Sequence, residues 1–276
     1  MNSANSDANT MATNLLNGAP SEHIAIDDRG LLYGDGFFTT IRVRENQIEH
    51  WPLHAERIQL SAEKLKFPEL NIPRIEKELR SFINNQYEDS GVVRLTITRG
   101  CGPRGYRAPS EPKFSIIASW SSFVSSGELQ NGVELSICET PYSKNSALAG
   151  LKHLNRLEQV LAQEEIPESC FDGIMLADDL IVGGSKTNIY FYREGLWLTP
   201  SMEVAGVNGT VRRWLLANRR DVQVSVFGLE ILSLASHCMV TNALHGVVPV
   251  TKIGQHKYDV WPQTAELNRA YCQDSI

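Results

Sequence analysis

The chain has 276 residues, 42% of them hydrophobic, with a formal net charge of −6, enough for one large or two modest domains with proper cores. Mild acidity argues against a nucleic-acid or membrane-surface protein, which is usually basic, and no apolar run approaches the length of a membrane span. The five cysteines (101, 138, 170, 238, 272) are odd in number, scattered and never paired as Cys-x-x-Cys, which suits reduced thiols in a cytoplasm and leaves no metal site expected.

Residues 1–12 are polar, lack the charged start and apolar core of a signal peptide, and read as a flexible extension, with Met11 as an alternative start. Phe37 to Val43 alternates like a strand, and Gln47 to Trp51 reads as its return. Leu53 to Leu65 has helical spacing, as does Ile75 to Phe82 extended by a few residues. Val92 to Thr98 and Phe114 to Trp120 are β-rich runs on either side of a glycine-rich loop. The polar stretch SSFVSSGELQNG is the best linker in the chain. Beyond it, short strands at 133–139, 172–177, 187–193, 222–227 and 238–243 alternate with helices near 153–166, 209–220 and 229–237. A last helix covers Trp261 to Tyr271. The expected architecture is α/β with a small N-terminal domain (13–120), a linker (121–131) and a larger C-terminal domain (132–276).

Five stretches carry chemical interest. In Gly150-Leu-Lys-His-Leu-Asn-Arg-Leu-Glu-Gln-Val-Leu161 the leucines 154, 157 and 161, with Val160, fall at helical spacing and read as core. Lys152 sits just before that pattern; alone it reads as a solvated lysine. Gly206-Val-Asn-Gly-Thr-Val211 is a Gly-x-x-Gly turn running into a helix, either a plain turn or a phosphate cradle made from free amides and the positive helix end. Arg104 and Tyr106 lie on the bendable loop 99–106, where an arginine fork and a phenol suit a carboxylate or simply face solvent. Tyr33-Gly-Asp-Gly36 forms a tight turn before a strand on which Thr39 and Thr40 face opposite ways, so only one can face a given pocket. Thr241-Asn-Ala-Leu-His245 closes a strand with small and polar residues able to present amides to a ligand.

Taken in order, DRGLLYGDGFFTTIRV, LHAERIQLSAEKL, RGCGPRGY, LAGLKHLNRLEQVL, AGVNGTVRR and TNALHGVVPV cover nearly all of residues 20–250 and resemble the fold-type IV pyridoxal-phosphate enzymes, most of all their aminodeoxychorismate lyase branch. The resemblance implies a two-domain fold-type IV architecture and pyridoxal 5'-phosphate as cofactor. It also implies conversion of 4-amino-4-deoxychorismate to 4-aminobenzoate and pyruvate in folate biosynthesis. Lys152 matches the lysine bonded to the cofactor, and Arg57 the arginine on its phosphate. Val207, Asn208, Gly209, Thr210 and Val211 match the phosphate-binding turn, and Asn242, Ala243 and Leu244 a strand end beside phosphate and substrate. Arg104 and Tyr106 match loop residues reaching the substrate carboxylates, with the loop serving a homodimeric partner's site, and Thr40 matches a threonine near the lysine.

One position departs from the pattern. The family's glutamate on the pyridine nitrogen falls at Gly183, and Asp178 and Asp179 lie too early to take the role. Without it the cofactor is a shallower electron sink, which weighs against the alternative readings of D-amino-acid or branched-chain aminotransferase more than against the lyase. A catalytically weakened, cofactor-binding relative is the third reading. Retention of Lys152, Arg57 and the turn together argues against it.

Overall fold

The computed structural model describes residues 13–123 and 127–274, so the extension expected at 1–12 lies outside the described residues. The first sheet is antiparallel and has six strands: β1 (Asn14–Leu16), β2 (Ala19–Pro20), β3 (Gly36–Arg44), β4 (Gln47–Ile48), β5 (Gly91–Thr98) and β6 (Ser115–Ser122). Their spatial order is β2-β1-β6-β5-β3-β4. Strand alternation gives β3 two unlike faces. Phe37, Ile41 and Val43 face a core shared with the helices α2 (Trp51–Lys64) and α3 (Ile72–Asn84), and the short helix α1 (Arg29–Tyr33) precedes β3. Both long helices start with proline in the first turn, and α3 buries Ile72, Ile75, Leu79, Phe82 and Ile83 at three- and four-residue spacing.

The second sheet has nine strands: β7 (Val133–Ile137), β8 (Asp172–Ala177), β9 (Leu180–Gly184), β10 (Asn188–Arg193), β11 (Leu196–Pro200), β12 (Val222–Ser225), β13 (His237–Asn242), β14 (Gly246–Ile253) and β15 (His256–Lys257). Eight run in the order β12-β11-β10-β13-β14-β7-β8-β9, with β15 on β14, and the path curls until β9 lies against β10. Ile174, Ile189, Phe191, Val240 and Val250 are fully buried in its core. The helices α4 (Leu157–Glu164), α5 (Thr210–Asn218), α6 (Ile231–Leu234) and α7 (Thr264–Gln273) accompany it.

Two expectations fail here. The helix expected from 153 begins only at Leu157, because the backbone of 150–154 is spent on extended pairing with other segments. The leucines read as core are not: Leu157 is 71% exposed, Val160 54% and Leu161 52%, and Ala162 is the buried residue of α4. Strands β9, β11 and β14 were not among the expected elements.

At the base of β3, the fully buried Asp28 caps α1 by accepting from Gly30 N (2.7 Å), Thr98 Oγ1 (2.9 Å) and Ser115 Oγ (2.5 Å). Asp28→Ala strands those three donors and is expected to cost roughly 2–4 kcal/mol in urea denaturation. A loss of a few tenths would show that the carboxylate is not what ties α1 to β5 and β6.

Candidate active site

Lys152 owes its position to backbone pairing on two sides. Gly150 N donates to Gly206 O and accepts at its own carbonyl from Asn208 N, a parallel bridge onto the 206–208 turn. Two residues on, Phe38 N donates to Lys152 O and Leu154 N to Gly36 O, an antiparallel bridge onto β3. Gly150 can join the two because its φ of 80° lies in the left-handed region, where a side chain is strained. Arg156 locks the segment from behind, with Nη2 on Leu151 O, Nε on His153 O and Nη1 on the Tyr142 hydroxyl.

The Lys152 amine points into a cavity of about 660 Å³ between the two sheets. One wall is the inner face of β3 and β5, with Phe38, Thr40 and Arg94; Thr40 and Arg94 are directly paired across the strands. Facing it are Val182 to Asn188, the 206–210 turn and Thr241 to His245. Thr39, on the other face, is buried and bonds His54 Nδ1 (2.7 Å) and Arg57 Nη1 (3.2 Å), so it aims Arg57 rather than touching a ligand. Asn188 shapes the turn, accepting from Gly209 N and donating to Val207 O.

The cavity is strongly cationic. Arg57 is buried without a carboxylate partner among the described residues, and burial, with Arg213 nearby, pulls it down to about 9, still protonated at neutral pH. Burial, then the charges of Arg57, Arg156 and Arg94, lower the Lys152 amine to about 7, so a large fraction is neutral and nucleophilic at physiological pH. Its Nζ lies 4.5 Å from the centre of the Phe38 ring, and Arg94 lies 3.8 Å from the same ring. The one carboxylate among the described lining residues is the exposed Glu164.

Most of the sequence-predicted residues meet in this cavity: Lys152, Thr40, Arg57, Val207, Gly209, Thr210, Asn242, Ala243 and Leu244. Four do not. Arg104 and Tyr106 are on a surface loop away from the cavity of their own chain; Tyr106 is 90% exposed, and Arg29 holds the loop through the carbonyls of Gly105 and Tyr106. Val211 turns its side chain into the core of the second sheet, leaving only its amide. Asn208 faces a separate cleft, and its amide is taken by Gly150 O. The Gly209 amide is likewise used, by Asn188. Gly183 lines the cavity and Asp178 is drawn away to Lys144. Sequence reasoning missed Arg94 and Arg156; the pairing of Arg94 with Thr40 is a register fact that strand alternation alone does not fix.

A lysine softened by burial, an acid-free buried arginine and a Gly-x-x-Gly helix start, set between two curled sheets, define a fold-type IV pyridoxal-phosphate enzyme. The chain belongs to the amino-transferase class IV family, whose sequence profile matches residues 36–253. It is 34% identical over 248 residues to the aminodeoxychorismate lyase of Vibrio harveyi, covering 86% of this chain and 90% of that one. It is 26% identical to a D-alanine aminotransferase of Staphylococcus epidermidis, covering 83% of each. The crystal structure of 4-amino-4-deoxychorismate lyase from Pseudomonas aeruginosa superposes with a TM-score of 0.88 at 32% identity, over 95% of this chain and 98% of that one.

The residues present fit pyridoxal phosphate. The amides of Val207, Thr210 and Val211 donate to no protein acceptor among the described residues. Buried donors without acceptors, beside an unpaired arginine, call for an anion. In trace acylation of the cofactor-free protein, Lys152 is expected to label with a midpoint near 7, against about 10.4 for surface lysines. Arg57→Met removes a cation and moves that midpoint up; a Lys152 profile tracking the surface lysines overturns the assignment.

Proposed function

We propose that this protein is a pyridoxal-phosphate-dependent lyase converting 4-amino-4-deoxychorismate to 4-aminobenzoate and pyruvate, a step of folate biosynthesis. The observation that carries the reading is a cationic cavity built around Lys152 with no carboxylate at Gly183, in a chain 34% and 32% identical along its length to two aminodeoxychorismate lyases. Catalytic roles fall to Lys152 and Thr40, phosphate binding to Arg57, the free amides of the 207–211 turn and Thr210, and substrate contacts to Asn242 to Leu244. Asn242 Oδ1 is occupied by the amides of Leu244 and His245, which leaves its NH₂ to donate.

When bound, pyridoxal phosphate supplies an electron sink conjugated to the substrate's amine. Lys152, neutral in the cavity, accepts the proton from the ring carbon that bears the amine. The bond from the neighbouring ring carbon to the enolpyruvyl oxygen then breaks, leaving an aromatic ring, and the proton held by Lys152 is returned to the enolpyruvyl methylene, directly or relayed through a hydroxyl or water, to give pyruvate. Arg94, at the mouth, suits one of the two substrate carboxylates. Aromatisation supplies driving force, so this elimination tolerates the absent acid better than transamination does.

Purified protein with pyridoxal phosphate and aminodeoxychorismate is expected to release 4-aminobenzoate and pyruvate in equal amounts, with little exchange between D-alanine or branched-chain amino acids and keto acids. Steady exchange without 4-aminobenzoate overturns the reading in favour of an aminotransferase. A Cβ at 183 would meet the Thr187 carbonyl at 3.1 Å, a tight contact with backbone, so Gly183→Glu requires a small local shift and is checked for retained folding first. It is expected to change the cofactor's absorption spectrum, and an unchanged spectrum and lyase rate would count against the role given to this position.

A homodimer follows from the same reading. The exposed Leu157, Val160 and Leu161 of α4 at the cavity rim, and Leu31 and Leu32 of α1, form apolar surface that a second copy would cover. The displaced Arg104 and Tyr106 then belong to the partner's site. Chains carrying Arg104→Ala or Lys152→Ala, each inactive alone, are expected to regain about one quarter of wild-type activity when mixed, because only heterodimers hold an intact site. No recovery in a mixture shown to contain heterodimers places the loop's role elsewhere. A cytoplasmic location fits the free thiols and the absence, among the described residues, of any helix long and apolar enough to cross a membrane.

A further inference from the structure

Arg212 is a buried cation that no role above absorbs. It is 4% exposed, forms no ion pair among the described residues, and its Nε has no partner. Its Nη2 donates to Pro200 O (2.9 Å) and its Nη1 to Asn208 Oδ1 (2.9 Å). Arg57 reaches the same residue at its backbone, with Nη2 on Asn208 O (3.0 Å). Two acid-free guanidiniums therefore clamp Asn208, the hinge of the turn in which the amides of Val207, Thr210 and Val211 donate to no protein acceptor among the described residues. The other groups against Arg212 are neutral: burial raises the Tyr190 phenol and keeps it protonated. A buried charge without a counter-ion costs several kcal/mol, so a protein that keeps one gains a partner elsewhere.

We propose that Arg212 is a second phosphate cation, acting from behind the turn through Asn208: it holds the 206–210 backbone in its cupped shape and supplies positive potential to a phosphate dianion that it does not touch. The inference rests on the cofactor reading above and assigns a positioning residue, with Arg57 on the open side and Arg212 on the hidden one.

The test compares pyridoxal 5'-phosphate with pyridoxal, which lacks the phosphate, by titrating each into cofactor-free protein and following absorbance. Wild type must prefer the phosphorylated form; if it does not, the cofactor reading itself fails. Arg212→Met is expected to weaken pyridoxal phosphate about tenfold or more while changing pyridoxal by less than about threefold, and Arg212→Lys to recover part of the difference. In parallel, millimolar inorganic phosphate should raise the melting temperature of cofactor-free wild type and not of Arg212→Met. Asn208→Ala cuts the same link from the other end, should lower the preference similarly, and combined with Arg212→Met should add little further. If no Arg212 variant folds, Asn208→Ala decides by the same ratio. Equal loss for both ligands, or an unchanged ratio, assigns Arg212 to stability alone and overturns the proposal.

Discussion

Everything at the site depends on five residues of backbone, 150–154, paired to the 206–208 turn at one end and to β3 at the other. Neither sheet alone places Lys152. The first supplies Phe38, the second supplies the 206–208 turn, and the lysine is the residue between two bridges. Such a segment cannot be helical, since its donors and acceptors are already committed. That is why α4 starts at Leu157, and why Gly150, free to adopt a left-handed φ, stands at the junction.

Charge is the second constraint. The cavity-lining Arg57, Arg94, Lys152, Arg156 and Lys186, and Arg212 behind them, have no carboxylate partner among the described residues, whereas Arg29 and Arg99, beside the first sheet, are matched by Asp35, which accepts from both. The imbalance is local to the cavity and the wall behind it. Lys152 yields to it by giving up its proton near neutrality; the guanidiniums cannot, and their field remains for an anion. On the proposed function one arrangement does two jobs, attracting a phosphorylated ligand and softening the amine that would bond it.

The sequence made some of this legible. The glycine turn before α5 and the strand-end segment 241–245 are local patterns, and their residues reach the cavity because their neighbours in sequence are their neighbours in space. The leucines of α4 were misread because helical spacing shows that a face is apolar but not what covers it. Strands β9 and β11 are five residues each, too short for a clear period, and β14 carries Pro249 in its middle. Arg94 and Arg212 escaped for different reasons. The first needed the register of β3 on β5, and the second needed the contact between a helix side chain and a turn four residues earlier.

Gly183 gains meaning beside these charges. A carboxylate there would stand in a cavity whose other ionised groups are cations, and would pair with the nearest of them as readily as with a ring nitrogen. It would also raise the Lys152 pKa, because an anion stabilises the ammonium form, and less neutral amine would be present at physiological pH. Leaving the position empty therefore exchanges depth of the electron sink for a more readily deprotonated lysine, with more free amine at physiological pH, and a stronger field for anionic ligands. That exchange favours an elimination whose product is aromatic and whose substrate carries two carboxylates, and it disfavours a transamination that depends on the sink for both half-reactions.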